Sequence, residues 1–329
     1  MRRRDLLVVL GGAAVTWPLA ARGQHANQTR QIGMLMAYAE NDREGQAFVS
    51  EFREELEKLG WAEGRNIRII TRWATSSALR RQFSEELVAL NSDLITAHGT
   101  PSTAALAKQT HTIPIVFVNV TDPIGSGFVE SLSRPGGNIT GFTHYEPTLA
   151  TKWLQLLKEI SPRVAAVAFL FNPMTAPYFD YYISHFKAAA PSFRVEAIVA
   201  PVRDRVEFGP TIAALAHESN AGLIVMPDVF MTMHRKEIIT LAARYHLPAV
   251  YPLPIFTAQG GLLSYGSDTR DQYRRAADYA NRILKGEKPA SLPVQIPVKF
   301  MLTINLKAAK ARGLTVPPSM IIRAEKVIE

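Results

Sequence analysis

The chain has 329 residues, of which 47% are hydrophobic and 20% charged. That is apolar material for a substantial core, more naturally in two domains than one, and it argues against global disorder. The formal charge is +8, but Arg2, Arg3, Arg4 and Arg22 against Asp5 supply +3 of it, and the remaining +5 is spread without a basic block. This weighs against nucleic-acid binding, and the absence of cysteine excludes disulfides, thiolate metal sites, cysteine nucleophiles and a lipid-modified N-terminal cysteine.

Met1 to Arg4 forms a positive start, and the apolar run Leu6 to Leu19 is too short and too glycine-containing for an ordinary membrane span. Ala21-Arg22-Gly23 places small residues at −3 and −1 of a cleavage site before Gln24, so residues 1–23 read as a signal peptide. Arg3-Arg4-Asp5-Leu6-Leu7 fits a twin-arginine pattern with Leu6 where Phe is usual; a Sec signal with an arginine-rich start is the alternative.

Gln31 to Tyr38 is the first expected strand. Asn41-Asp42 caps a helix with Phe48, Phe52, Leu56 and Leu59 on one face. Asn66 to Thr71 is the next strand, and Leu79, Phe83, Leu87 and Leu90 mark the inward face of a second helix. Leu94 to Ala97 stops at His98-Gly99-Thr100-Pro101, a helix follows, and Ile113-Pro114 introduces the strand Ile115 to Val118. Short apolar strands alternating with helices imply parallel sheets covered on both faces.

The pattern then returns. A helix with Trp153, Leu154, Leu157 and Ile160 leads to a strand at Val164 to Phe171, a helix with Phe179, Tyr182 and Phe186, and a strand at Arg194 to Ala200. Ala221 to Pro227, a helix over about His234 to His246, and Leu247-Pro248-Ala249-Val250-Tyr251 answer Leu94 to Phe117. Repetition of whole units implies two similar lobes. Gly261 to Tyr265 is a further strand, followed by an amphipathic helix from about Asp268 to Lys285. The proline-rich tail, with a short helix near Asn305 to Arg312, crosses between lobes.

In parallel sheets ligands collect at the carboxyl ends of strands, which nominates Gly99, Thr100, Ser102 and Thr121. Thr100 and Ser102 open a helix whose free N–H groups favour a carboxylate; an ordinary N-cap is the alternative. Asp122 and Asp228 occupy matching places past strand ends, where each either pairs with an ammonium group or caps a turn. Asn172 either donates to a ligand or forms an Asn-Pro turn. Tyr38, Tyr145, Phe256 and Tyr265 fall beside expected strand ends and would stack on a flat or apolar solute, whereas Phe48, Phe52, Tyr182 and Phe186 read as core. His98 and His144 read as polar loop residues. The glycine run at Gly125 fails as a dinucleotide loop. No nucleophile elbow, Walker loop or metal-ligand histidine spacing occurs, so neither an enzyme nor a cofactor is expected.

GTPSTAALAKQT (Gly99 to Thr110), DPIGSGFVESLSRPGGNITG (Asp122 to Gly141), GGLLSYG (Gly260 to Gly266), INLKAAKARGLTVPPSMI (Ile304 to Ile321) and the leader resemble the substrate-binding proteins of ABC transporters, tryptophan/tyrosine-type. The resemblance implies an α/β protein of two Rossmann-like lobes with parallel sheets, the type I periplasmic-binding-protein fold. It implies crossings near residues 141–145, 251–261 and 293–300, hence one lobe of residues 28–142 and 262–293 and another of 143–261 and 294–329. It further implies a monomer in the periplasm that captures a small solute, an amino acid or aromatic compound, and delivers it to an ABC permease in the inner membrane. A ligand sensor of the same fold feeding a membrane signalling partner is the alternative.

Overall fold

A computed structural model describes residues 29–144, 146 and 148–329; the expected signal peptide and Tyr145 lie outside the described residues. Two sheets organise the chain. The first contains β1 (Arg30–Met36), β2 (Ile67–Trp73), β3 (Leu94–His98), β4 (Ile115–Val120) and β5 (Ile139–Thr143) in the order β2-β1-β3-β4-β5, all parallel.

The second contains β6 (Ala166–Phe171), β7 (Glu196–Pro201), β8 (Ala221–Val225), β9 (Ala249–Tyr251), β10 (Leu263–Ser267), β11 (Phe300–Asn305) and β12 (Lys326–Ile328). Its order is β12-β11-β10-β9-β8-β6-β7. The run β7-β6-β8-β9-β10 repeats the first sheet strand for strand, and β11 and β12 extend it, with β10 and β11 antiparallel. The repeat reaches individual hydrogen bonds: Ile95 N–H donates to the Pro114 carbonyl and Leu223 N–H to the Pro248 carbonyl, each at 2.9 Å. Proline has no N–H to offer the ladder, so it sits at the strand entrance and contributes only its carbonyl.

The helices cover both faces of each sheet. Asp42 caps helix Arg43–Lys58 by accepting from the Glu44 and Gly45 N–H groups, and Phe48, Phe52 and Leu56 line its buried side. Helix Thr269–Leu284, capped by Asp268, lays Tyr273, Ala276, Ala277, Ala280 and Ile283 against Ile32, Met34 and Val116 of the first sheet. In helix Ser77–Ala89 the buried face is Arg80, Ser84 and Leu87. This is a correction to the expected Leu79, Phe83, Leu87 and Leu90 face; Leu79 and Phe83 are half-buried and Leu90 is 41% exposed.

The middle crossing also differs from expectation. Leu263 pairs with Val250 and with Ile304, so β10 belongs to the second sheet and not to the first lobe, where the range 262–293 had put it. The chain changes lobes at Ser267-Asp268, not within residues 251–261, because Asp268 ends β10 and begins the helix that packs on the first sheet. The three crossing segments lie side by side. Thr143 N–H donates to the Gln295 carbonyl, Gln295 N–H to the Gly141 carbonyl and Asp268 N–H to the Lys299 carbonyl. The Lys299 ammonium pairs with Asp268 at 2.8 Å. A few adjacent extended segments are the usual hardware of a hinge.

Candidate functional site

The carboxyl ends of both sheets face each other across a narrow cleft. Ala37 and Tyr38 follow β1, His98, Gly99 and Thr100 sit at the end of β3, Asn119 near the end of β4, and His144 after β5. Opposite them stand Tyr178, Pro227, Asp228, Val229, Thr232 and Leu253 of the second lobe. About 380 Å³ of atom-free space, open solvent at the mouth included, lies among them. The lobes touch here: a Cβ added to Gly99 would meet Val229 Cγ2 at 3.1 Å. Beside the cleft, Arg235 of the second lobe donates to Asp42 of the first at 2.5 Å, and both side chains are largely withdrawn from water, at 8% and 12% exposure.

The first-lobe wall is aromatic with polar atoms inset. Tyr38 meets Phe48 and His98 edge-on, with centroids 5.9 and 5.0 Å apart, and the Phe48, His98 and Tyr273 rings are nearly parallel. His98 Nδ1 lies 2.9 Å from the Tyr273 hydroxyl, which reaches Met36 Sδ, and His98 Nε2 lies 3.5 Å from Asn119 Nδ2. A neutral ring with its proton on Nδ1 satisfies all three contacts. His144 Nε2 contacts Thr121 Oγ1 at 3.0 Å, and Thr121 N–H donates to Thr100 Oγ1. Asn119 sits in the left-handed region with φ 65°, at the irregularity between Val118 and Val120, and its Oδ1 is buried without a partner. Strained backbone and unpartnered acceptors cluster at ligand sites.

Among the expected site residues, Tyr38, Gly99, Thr100 and Asp228 line the cleft. Ser102 and Thr121 are buried just behind it, Ser102 Oγ without a partner. Asp122 lines a neighbouring space of about 600 Å³ with Thr100 and Tyr178, and its carboxylate accepts from Gly125 N–H at 2.8 Å, the turn-capping geometry. Asp228 accepts from Asn172 N–H, Thr175 Oγ1 and Phe230 N–H and caps helix Val229–Met233. Asn172 is engaged at both ends of its amide, accepting from Met174 and Thr175 N–H and donating to the Arg203 carbonyl.

Two expected residues lie elsewhere. Phe256 is fully buried against Tyr251 in the second-lobe core, because helix Pro254–Ala258 turns it inward. Tyr265 stands mid-strand on Phe300, with Lys152 over its ring, away from the cleft. Sequence reasoning passed over His98, Asn119, His144 and Tyr178 as lining residues, although the strand-end argument covers the first three. The Asp42–Arg235 pair joins positions 193 residues apart and left no local signal.

Burial lowers His98 to about 3, with the His144 charge as a second cause, and lowers His144 to about 4. Burial raises Asp228 to about 6 against the hydrogen bonds it accepts. Below the unfolded imidazole value of 6.5 the unfolded chain takes up two protons that the folded protein refuses until near pH 4. The Asp228 contribution has the opposite sign, present below its unfolded 3.8 and lost as pH rises through about 6. Between pH 6 and 4.5 the unfolded state therefore binds about one more proton, and stability should fall by about 1.4 kcal/mol per pH unit on acidification. Urea midpoints at several pH values measure this. His144→Asn should flatten the slope, and an unchanged slope in that variant contradicts the assignment.

A relative described as a tyrosine-binding protein, from Clostridioides difficile (strain R20291), is 25% identical over 281 residues, covering 85% of this chain and 79% of the relative. A conserved domain protein from Vibrio cholerae O1 biovar El Tor superposes with a TM-score of 0.84 at 27% identity, over 91% of this chain and all of that one. An ABC domain in complex with L-Trp from Streptococcus pneumonia gives 0.84 at 24% identity, over 92% of this chain and 100% of that one. The two-lobe architecture and these superpositions show a type I periplasmic-binding-protein fold. The family profile described as ABC transporter substrate binding protein matches residues 42–328, so the chain belongs to that family, whose members bind substrates and are not enzymes.

Proposed function

We propose that this protein is the exported solute-binding component of an ABC importer, capturing an amino acid or aromatic compound between its lobes by hinge closure. The observation that carries the reading is the cleft itself. Two sets of strand ends meet around unpartnered polar atoms, and a charged pair joins the lobes beside them. A solute bridging the walls binds the closed state better than the open one, and that difference in affinity drives closure. Tyr38, Gly99, Thr100 and Asp228 would touch it, with Asn119 Oδ1 as an acceptor for a ligand N–H or O–H. The aromatic wall and the tyrosine- and L-Trp-binding relatives support an aromatic side chain.

The loaded monomer would pass its cargo to a permease in the inner membrane. A thermal-shift screen of amino acids, aromatic acids and purines tests the binding step. A solute at a hundredfold its Kd should add about 2.7 kcal/mol of stability, and a flat response across the whole screen would contradict the reading. Export is tested separately: changing Arg3 and Arg4 to Lys should retain the precursor in the cytoplasm, whereas unaffected export removes the twin-arginine assignment.

A further inference from the structure

The cleft does not end at Thr100. The neighbouring space of about 600 Å³, open solvent included, is also walled by both lobes, with Ala104, Asp122 and Phe128 on one side and Pro177 on the other. Thr100 and Tyr178 line both spaces, so the two are continuous. Thr100 and Ala104 are four residues apart on helix Gly99–Ala107 and share one face of it. The second space therefore runs along the helix about one turn beyond the cleft, roughly 5 Å. Tyr178 stands at the junction, and its ring is held in place. Its hydroxyl donates to the Pro227 carbonyl at 2.9 Å and its ring meets Tyr182 edge-on.

The two spaces differ in character. The cleft presents unpartnered polar atoms, Asn119 Oδ1 and His144 Nδ1. In the second space Ala104, Phe128, Pro177 and the Tyr178 ring are apolar, while Thr100 Oγ1 accepts from Thr121 N–H and Asp122 from Gly125 N–H. Its lining includes a carboxylate and no basic side chain, which disfavours an acidic group there. Other gaps between the lobes are ionic by contrast, with Lys299 held by Asp268 in one and Arg235 by Asp42 in another. Small-molecule sites span about 300–1,000 Å³. The cleft alone lies near the lower end of that range, and the two spaces together reach toward the upper end.

We propose that this space is a second compartment of the solute site, that it receives an apolar arm of the solute, and that Ala104 sets the size of that arm. This rests on the solute-binding reading and extends it beyond free amino acids, to solutes carrying a further ring or chain that is uncharged or cationic at its tip. Alanine leaves the helix wall flat at this point, and a longer side chain at 104 would fill the compartment from that wall.

The test pairs parent compounds with extended ones: L-tyrosine with O-benzyl-L-tyrosine, L-tryptophan with 5-benzyloxy-L-tryptophan, and L-phenylalanine with L-phenylalanyl-L-phenylalanine. Affinities are measured by calorimetry on the mature wild type, Ala104→Val, Ala104→Leu and the control Ala105→Leu, whose position on the same helix does not line the space. Wild type should bind at least one extended compound as tightly as its parent or more so. Ala104→Leu should lower that extended-to-parent ratio by about 10-fold or more, Ala104→Val should lower it by less, and Ala105→Leu should leave it unchanged. A purely structural effect of the substitution would weaken parent and extended compound alike and leave the ratio where it was. Wild type binding the parents but excluding every extended compound, or a ratio unmoved in both Ala104 variants, overturns the compartment alone. Wild type binding none of the six compounds overturns both the compartment and the aromatic-solute reading.

Discussion

Replacing Arg235 by Met should weaken solute binding by about 10- to 100-fold while leaving the unfolding midpoint of the ligand-free protein nearly unchanged. Arg235 and Asp42 stand on different lobes and meet at 2.5 Å with little exposure to water, so their contact exists only when the lobes are together. Removing one partner of a buried pair strands the other, at a cost of about 3–5 kcal/mol in a rigid core. Here the stranded Asp42 escapes to water by opening the cleft, so the penalty falls on closure and is smaller. Asp42 also caps helix Arg43–Lys58, which makes Asp42→Ala a poor probe. Asp42→Asn keeps the cap and weakens the pair. In a double-mutant cycle Asp42→Asn with Arg235→Met should cost little more than the worse single change. Calorimetric affinities check this, and additive losses would show that the pair does not couple the lobes.

Gly266→Ala should be severely damaging at the hinge. A Cβ at this position of β10 falls 1.9 Å from the Pro252 carbonyl oxygen, a backbone atom with no freedom to swing aside. β10 lies between β9 and β11, so relief requires parting strands next to the second crossing. The expected loss is about 3 kcal/mol or more, roughly a 6 °C or larger fall in Tm. Gly209→Ala is the control. Its Cβ meets nothing within 4 Å at the start of helix Phe208–Ala216, and the change should be neutral or stabilise by up to about 1 kcal/mol. Circular-dichroism melts separate the two, and a Gly266→Ala protein as stable as wild type would contradict the packing described at the hinge.

The alternation of apolar strands with amphipathic helices, and its return after Leu149, made the two-lobe architecture readable before any coordinates. Local periodicity reports burial directly, and the matching Pro114 and Pro248 kept the register of the repeat. Three kinds of information were harder to see. Membership of β10 depends on which strand it pairs with, a choice between Gly141 and Val250 as neighbours that no local pattern makes. The buried face of helix Ser77–Ala89 takes in Arg80 and Ser84, which are buried for reasons other than hydrophobicity. Tyr265 looked like a strand-end residue, but β10 continues past it to Ser267. The strand-end rule located the cleft, yet its second-lobe wall is built from helices and loops as well as strand ends. The Asp42–Arg235 contact is a tertiary fact.

A crystal structure of the mature protein with the solute that most raises its melting temperature bears most directly on the account. The predicted density lies between the sheets, within hydrogen-bond distance of the first lobe at Thr100 or Asn119 and of the second at Asp228 or Thr232, with Asp42 and Arg235 still paired. Density confined to one lobe, or seated in the outer groove lined by Arg270, Lys299 and Met301, would contradict capture by closure.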